Sequence, residues 1–192
     1  MDKPEKAIAV AAGAVFRYGR ILLIRRNFEP FIGCWGMPGG KIHFGEHVEE
    51  AVVREVREET GVRARFERFC GILSEKVSLT GQKRRTDMHY LVMVSRLRGL
   101  STRISASREG EVRWFPVADL KALREAMIPS DYLMLERFGI LERPISTQRH
   151  KGTKSETSLS TFRPLDHLAT VQSYARCRIA KQGKVYRVVR FD

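Results

Sequence analysis

The amino-acid sequence predicts an α/β fold, on three observations. Residues 7–16, 20–26 and 88–97 are apolar runs of strand length. Residues 46–60 contain no Gly or Pro and are mostly strong helix formers, with Gly61 where a left-handed cap is expected. Strand-like and helix-like stretches then continue in a mixed order to residue 138, as in a domain that packs helices on a sheet.

In order, residues 7–16 and 20–26 read as two strands joined by a tight turn at Tyr18-Gly19. Residues 27–40 hold Pro30, Gly33, Trp35, Pro38, Gly39 and Gly40, a composition that forbids a helix interior, so they form a loop. The helix 46–60 follows. Residues 62–70 and 72–79 are extended, 81–85 are a polar turn, and 88–97 are strongly strand-like. A short strand over 113–117 ends at Pro116, and residues 118–127 and 130–138 are helical by periodicity, Asp131 lying near the start of the second.

Composition changes after residue 143. Residues 144–161 are crowded with Ser, Thr, Lys and Gln and read as a linker between a domain over 1–143 and a basic C-terminal extension over 162–192. The whole chain carries a formal charge of +13, and residues 144–192 supply +7 of it, with 10 Lys and Arg against 3 Asp and Glu. Such a surface favours anionic partners without choosing among them. The apolar run 7–16 is too short to span a membrane, and the hairpin that follows argues against a signal peptide. Cys34, Cys70 and Cys177 lie far apart with no CxxC spacing, which disfavours zinc and a disulfide framework and fits a reducing cytoplasm.

The chemistry concentrates in Arg54-Glu55-Val56-Arg57-Glu58-Glu59-Thr60-Gly61. On a helix Glu55, Glu58 and Glu59 project to one side. They repel, and Glu58 and Glu59 fall in the last turn, where the helix dipole costs each acid about 0.3–1 kcal/mol. Arg54 and Arg57 relieve part of this; a divalent cation would relieve more, and all-oxygen donors suit magnesium or manganese. Taken alone the octamer also fits a solvated charged face.

Its surroundings decide the matter. Gly40 is followed by five residues, Glu46, seven residues, Arg54-Glu55, an aliphatic residue, any residue, Glu58-Glu59, any residue, Gly61 and the aliphatic Val62. This pattern, with the approach Trp35-Gly36-Met37-Pro38-Gly39, resembles the signature of the MutT-related Nudix hydrolases over roughly residues 7–140. The resemblance implies an α/β/α sandwich with a mixed sheet, the signature forming loop, helix and loop, and hydrolysis of a phosphoanhydride bond with Mg2+ (or Mn2+). By the same resemblance Glu55, Glu58 and Glu59 hold the metal with the carbonyl of Gly40, Arg54 orients Glu55, and Glu46 supports the site. Glu55 or Glu58 would take the proton from water. A glutamate on a later loop serves in some members, and Glu109 is preferred here to Glu111.

For substrate contacts the candidates are Arg25, Phe31, Trp35 and Lys41, with Phe28 and Arg26 beside them. Arg25 and Arg26 alternate along a strand, so at most one faces the site, and burial in the core is an equal alternative for each aromatic. Residues 20–62 look similar to short ADP-ribose pyrophosphatases, so ADP-ribose or a related sugar nucleotide leads and an oxidised or noncanonical nucleoside triphosphate follows. A different class is a nucleic-acid-binding protein: Lys83-Arg84-Arg85 and a tail interleaving aromatics with Arg and Lys suit phosphates and bases. Against it stands a basic appendage that packs on the acidic helix or on the partner in a homodimer.

Overall fold

The computed structural model describes residues 6–79, 86–105, 108–141, 174–182 and 185–191. These residues form a mixed sheet with helices on both faces, the expected α/β/α arrangement. The strands are β1 (Ile8–Arg17), β2 (Arg20–Arg26), β3 (Trp35–Gly36), β4 (Gly39–Lys41), β5 (Ala64–Leu79), β6 (Thr86–Gly99), β7 (Gly110–Pro116), β8 (Tyr174–Gln182) and β9 (Val185–Phe191). The helices are α1 (Val48–Thr60), α2 (Leu120–Leu123) and α3 (Pro129–Arg137). The sheet runs β3-β2-β1-β6-β5-β8-β9, with β4 paired to β1 and β7 to β2.

Side chains alternate across a strand, and each face has its own core. Ala11 and Val15 of β1 and Leu22 and Ile24 of β2 pack with Ala51, Val52 and Val56 of α1. Ala12, Ala14, Ile21 and Leu23 pack on the other face with Tyr132, Met134 and Leu135 of α3. Gly13 lets α1 come close: a Cβ there would lie 3.0 Å from methyls of both Val52 and Val56. The helix begins two residues later than expected, where the His47 N–H donates to Glu50 Oε2 at 2.9 Å. It ends as predicted at Gly61, φ 71°, whose N–H donates to the Arg57 carbonyl.

Four elements differ from the sequence reading. The stretches 62–70 and 72–79 form one long strand over Ala64–Leu79, because the break at Gly71 is an irregularity in register against β6 and not a chain reversal. The 27–40 loop ends in two short strands, since Trp35 and Gly36 pair with β2 and Gly39 to Lys41 pair with β1. The stretch 118–127 is broken into α2 between two 3-10 turns. There Ile128 donates its N–H to the Trp35 carbonyl, which fixes the end of the segment against β3.

The fourth lies in the C-terminal part. The expected linker over 144–161 lies outside the described residues, as do Lys83-Arg84-Arg85. Within 162–192 the described residues form β8 and β9, with β8 parallel to β5 and β9 antiparallel to β8. No helix among the described residues is long and apolar enough to cross a membrane.

Candidate active site

Two glycines bring the loop before α1 against the helix. A Cβ on Gly39 would stand 2.4 Å from the Ala11 carbonyl oxygen, so only glycine lets β4 pair this closely with β1. A Cβ on Gly40 would stand 2.5 Å from Glu55 Oε1. The missing side chain is therefore what lets the Gly40 backbone and the Glu55 carboxylate share one small space.

Arg54 organises the acids around it. Its Nε donates to Glu46 Oε1 at 2.7 Å and its Nη2 to Glu46 Oε2 at 2.9 Å, a fork matched to a carboxylate. Its Nη1 donates to Glu55 Oε1 at 2.7 Å and to Glu58 Oε2 at 3.2 Å, and Nη2 also reaches the Lys41 carbonyl. The Arg54 hydrogen bond, with a backbone N–H from His43, holds the Glu46 carboxyl down at about 2. The same bond raises Arg54 further above its ordinary range. Glu46 thus stays ionised and fixes the arginine that fixes Glu55.

Glu59 has the opposite character. It is buried, and desolvation lifts its carboxyl to about 8 despite the Gly39 N–H that donates to Oε2 at 2.9 Å. Glu55 and Glu109 add to the lift, and Arg26 opposes it. Groups from three segments therefore act on Glu59: Glu55 from α1, Glu109 ahead of β7, and Arg26 at the end of β2. The Asn27 N–H donates to the Glu109 carbonyl at 2.9 Å, which holds the β7 approach beside β2.

The other candidates fall in different places. The Glu58 side chain is largely exposed, at 60%. Glu111 pairs with Arg113. Lys41 is exposed at the end of β4, where its carbonyl accepts from Arg54. Arg25 donates to the Gly33 carbonyl at 3.2 Å, while Arg26 is the arginine whose charge acts on Glu59.

Of the two alternatives open for Phe31 and Trp35, the structure gives the core one, since both rings are buried. Trp35 meets Phe115 edge-on at 4.8 Å, and Phe31 lies in the same cluster as Leu73 and Val77. Phe28 is the exposed ring of that loop.

Two buried acids were not singled out for a role. Glu75 and Asp131 face the α3 side of the sheet, and burial lifts each to about 7. Asp131 Oδ2 accepts the Met37 N–H at 2.6 Å, and Glu75 bonds Ser130. Among the described residues Glu75 Oε1 has no hydrogen-bond partner. The spacing Leu73, Glu75, Val77 marks an inward-facing acid by strand parity alone. Arg26 was equally legible, because it shares the parity of Leu22 and Ile24, which pack on α1.

Among the described residues no three His, Cys, Asp or Glu side chains converge as a group ready to hold a metal. Arg54 engages Glu55 and Glu58, and the Gly39 N–H engages Glu59. The donor set is nevertheless suited to a hard cation: carboxylate oxygens of Glu55, Glu58 and Glu59, and a backbone at Gly40 too close to Glu55 for any side chain.

A family model for the NUDIX domain matches residues 7–138, and the chain belongs to that family. An ADP-ribose pyrophosphatase of Methanocaldococcus jannaschii is 47% identical over 68 residues, 35% of this chain and 40% of that protein. An uncharacterized Nudix hydrolase of Bacillus subtilis is 30% identical over 117 residues, covering 61% of this chain and 70% of its own length. The solved MutT NUDIX hydrolase of Burkholderia pseudomallei superposes with a TM-score of 0.52 at 32% identity, over 69% of this chain and 98% of that one. The match to the archaeal pyrophosphatase thus spans well under half of that relative.

Proposed function

We propose that the protein hydrolyses the pyrophosphate bond of a nucleoside diphosphate derivative, ADP-ribose or a related sugar nucleotide first. The observation that carries this reading is the Arg54 hub, which holds Glu46, Glu55 and Glu58 beside the glycine backbone at Gly40. A constellation of acids organised by one arginine has no structural need for so many carboxylates, whereas diphosphate hydrolysis does. The name of the archaeal relative favours ADP-ribose among the substrates.

Glu55, Glu58 and Glu59, with the Gly40 carbonyl, would hold Mg2+ (Mn2+ is the nearest substitute). Bound there, the cation supplies neutralisation of the diphosphate charge and a lowered pKa for the attacking water. The chain's own groups do the rest. Arg54 keeps the Glu55 carboxylate oriented, and Glu55 or Glu58 accepts the proton of the water. Glu109, in the field of Glu59, is the further candidate for that task. Arg26 and Lys41 supply positive charge for the phosphates.

The test is a magnesium-dependent hydrolysis screen over ADP-ribose, other sugar nucleotides, dinucleotides and modified triphosphates, with products resolved by chromatography. ADP-ribose should give AMP and ribose phosphate, and Glu58→Gln should abolish turnover while circular dichroism stays unchanged. No turnover of any compound by the folded wild-type chain, or full turnover by the variant, would sink the reading.

A further inference from the structure

The loop 27–34 leaves β2 just after Arg26 and is closed on itself. Arg26 donates its N–H to the Cys34 carbonyl at 3.0 Å, Gly33 to the Arg26 carbonyl at 2.8 Å, and Cys34 to the Phe31 carbonyl at 3.0 Å. The Arg26 Nε donates to the Pro30 carbonyl at 3.0 Å. Phe31 sits at φ 71°, a conformation that a bulky side chain adopts only when its surroundings impose it. Its ring is buried in the core on the α3 side. The position of the Arg26 guanidinium therefore depends on the shape of this loop.

A second anchor comes from far along the chain. Strand β8 lies parallel to β5, with Ile179 opposite Val77 and Lys181 opposite Leu79. Ile179 is fully buried in the cluster that holds Phe31. Two residues on, Lys181 projects to the same face, and its Nζ donates to Glu29 Oε1. The pair is partly shielded, with side-chain exposures of 19% for Lys181 and 34% for Glu29. Glu29 adjoins Pro30, the Pro30 carbonyl accepts from Arg26, and Arg26 shares the strand parity of Leu22 and Ile24, which pack against α1.

We propose that Lys181, outside the family-matched residues, is a positioning residue for substrate binding: it holds Glu29, and through the 27–34 loop it sets where Arg26 meets the anionic substrate. This rests on the reading of the site as a diphosphate hydrolase. The C-terminal strand is then part of the binding apparatus. Its removal should act on affinity more than on the chemical step, because Arg26 offers positive charge to the phosphates and is not one of the carboxylates proposed to do the chemistry.

The experiment compares the full chain with Lys181→Glu, the milder Lys181→Gln, Glu29→Lys and the Lys181→Glu/Glu29→Lys exchange. The single variants should raise KM for ADP-ribose roughly 3- to 10-fold, the effect of losing a partly shielded ion pair, with kcat held within about twofold. The charge exchange should restore KM. Hydrogen exchange at the Gly33 and Cys34 amides should quicken in the single variants and recover in the exchange variant. Unchanged exchange and KM in Lys181→Glu and Lys181→Gln would overturn the proposal, as would faster exchange with KM unaltered. The amide readout needs no turnover. Exchange that quickens in the single variants and recovers in the exchange variant, with a wild-type chain that hydrolyses none of these compounds, would uphold the tie and count against the activity instead.

Discussion

Arg54 and Glu46 meet fork to fork, Nε on Oε1 at 2.7 Å and Nη2 on Oε2 at 2.9 Å, eight residues apart and across the start of α1. Two parallel bonds fix the guanidinium plane, which leaves Nη1 aimed at Glu55 and Glu58. A single ammonium could not do this, because it offers a point charge in place of a planar fork.

Arg54→Lys should therefore keep the charge and lose the orientation. Metal-dependent turnover should fall roughly 10- to 100-fold, the usual cost of losing a residue that orients a ligand. Glu46→Gln should fall in the same direction by releasing Arg54. Steady-state kinetics with a magnesium titration checks both, and wild-type kcat in Arg54→Lys would show that the fork is not needed.

The buried acids give stability an unusual pH dependence. Glu75 and Asp131 each titrate near 7 in the folded chain, above their ordinary carboxylate values of 4.5 and 3.8. Between those values and about 7 the folded state holds protons that the unfolded chain has released, so stability falls as pH rises through that window and levels off above it. Glu75→Gln removes one ionisation. It should match the wild type near pH 5 and exceed it by roughly 1–3 kcal/mol at pH 8. Urea unfolding at the two pH values in chelator decides it, and an unchanged pH slope in the variant would refute the assignment.

The aromatics of the 27–35 segment divide by burial. Trp35→Ala opens the core against Phe115 and should cost about 3–5 kcal/mol. Phe28→Ala removes an exposed ring and should change stability by less than about 0.5 kcal/mol. Thermal unfolding separates the two, and a mild Trp35→Ala would return that ring to the list of substrate contacts.

Much of this protein was written locally. The helix over 46–60 and its end at Gly61 follow from propensity and capping, which involve neighbours in sequence. The spacing from Gly40 to Val62 identified the family, and the same-sided placement of Glu55, Glu58 and Glu59 follows from helical periodicity. The mixed sheet between helices followed from the family resemblance, a plan that the order of strand-like stretches fitted.

Only the tertiary structure decided which of these residues share an environment. Sequence alternation allowed Arg25 or Arg26, and the choice needed to know which face α1 covers. Composition allowed Phe31 and Trp35 to be either pocket or core, and the choice needed the strands and helix that close over them. Glu59 is lifted to about 8 chiefly because burial desolvates it, with Glu55 and Glu109 adding to the lift, and desolvation is a property of the folded neighbourhood. The basic segment after residue 143 looked like an appendage by charge. In the fold Ile179 enters the core and Lys181 reaches Glu29, because pairing beside β5 is a long-range contact that no local pattern encodes.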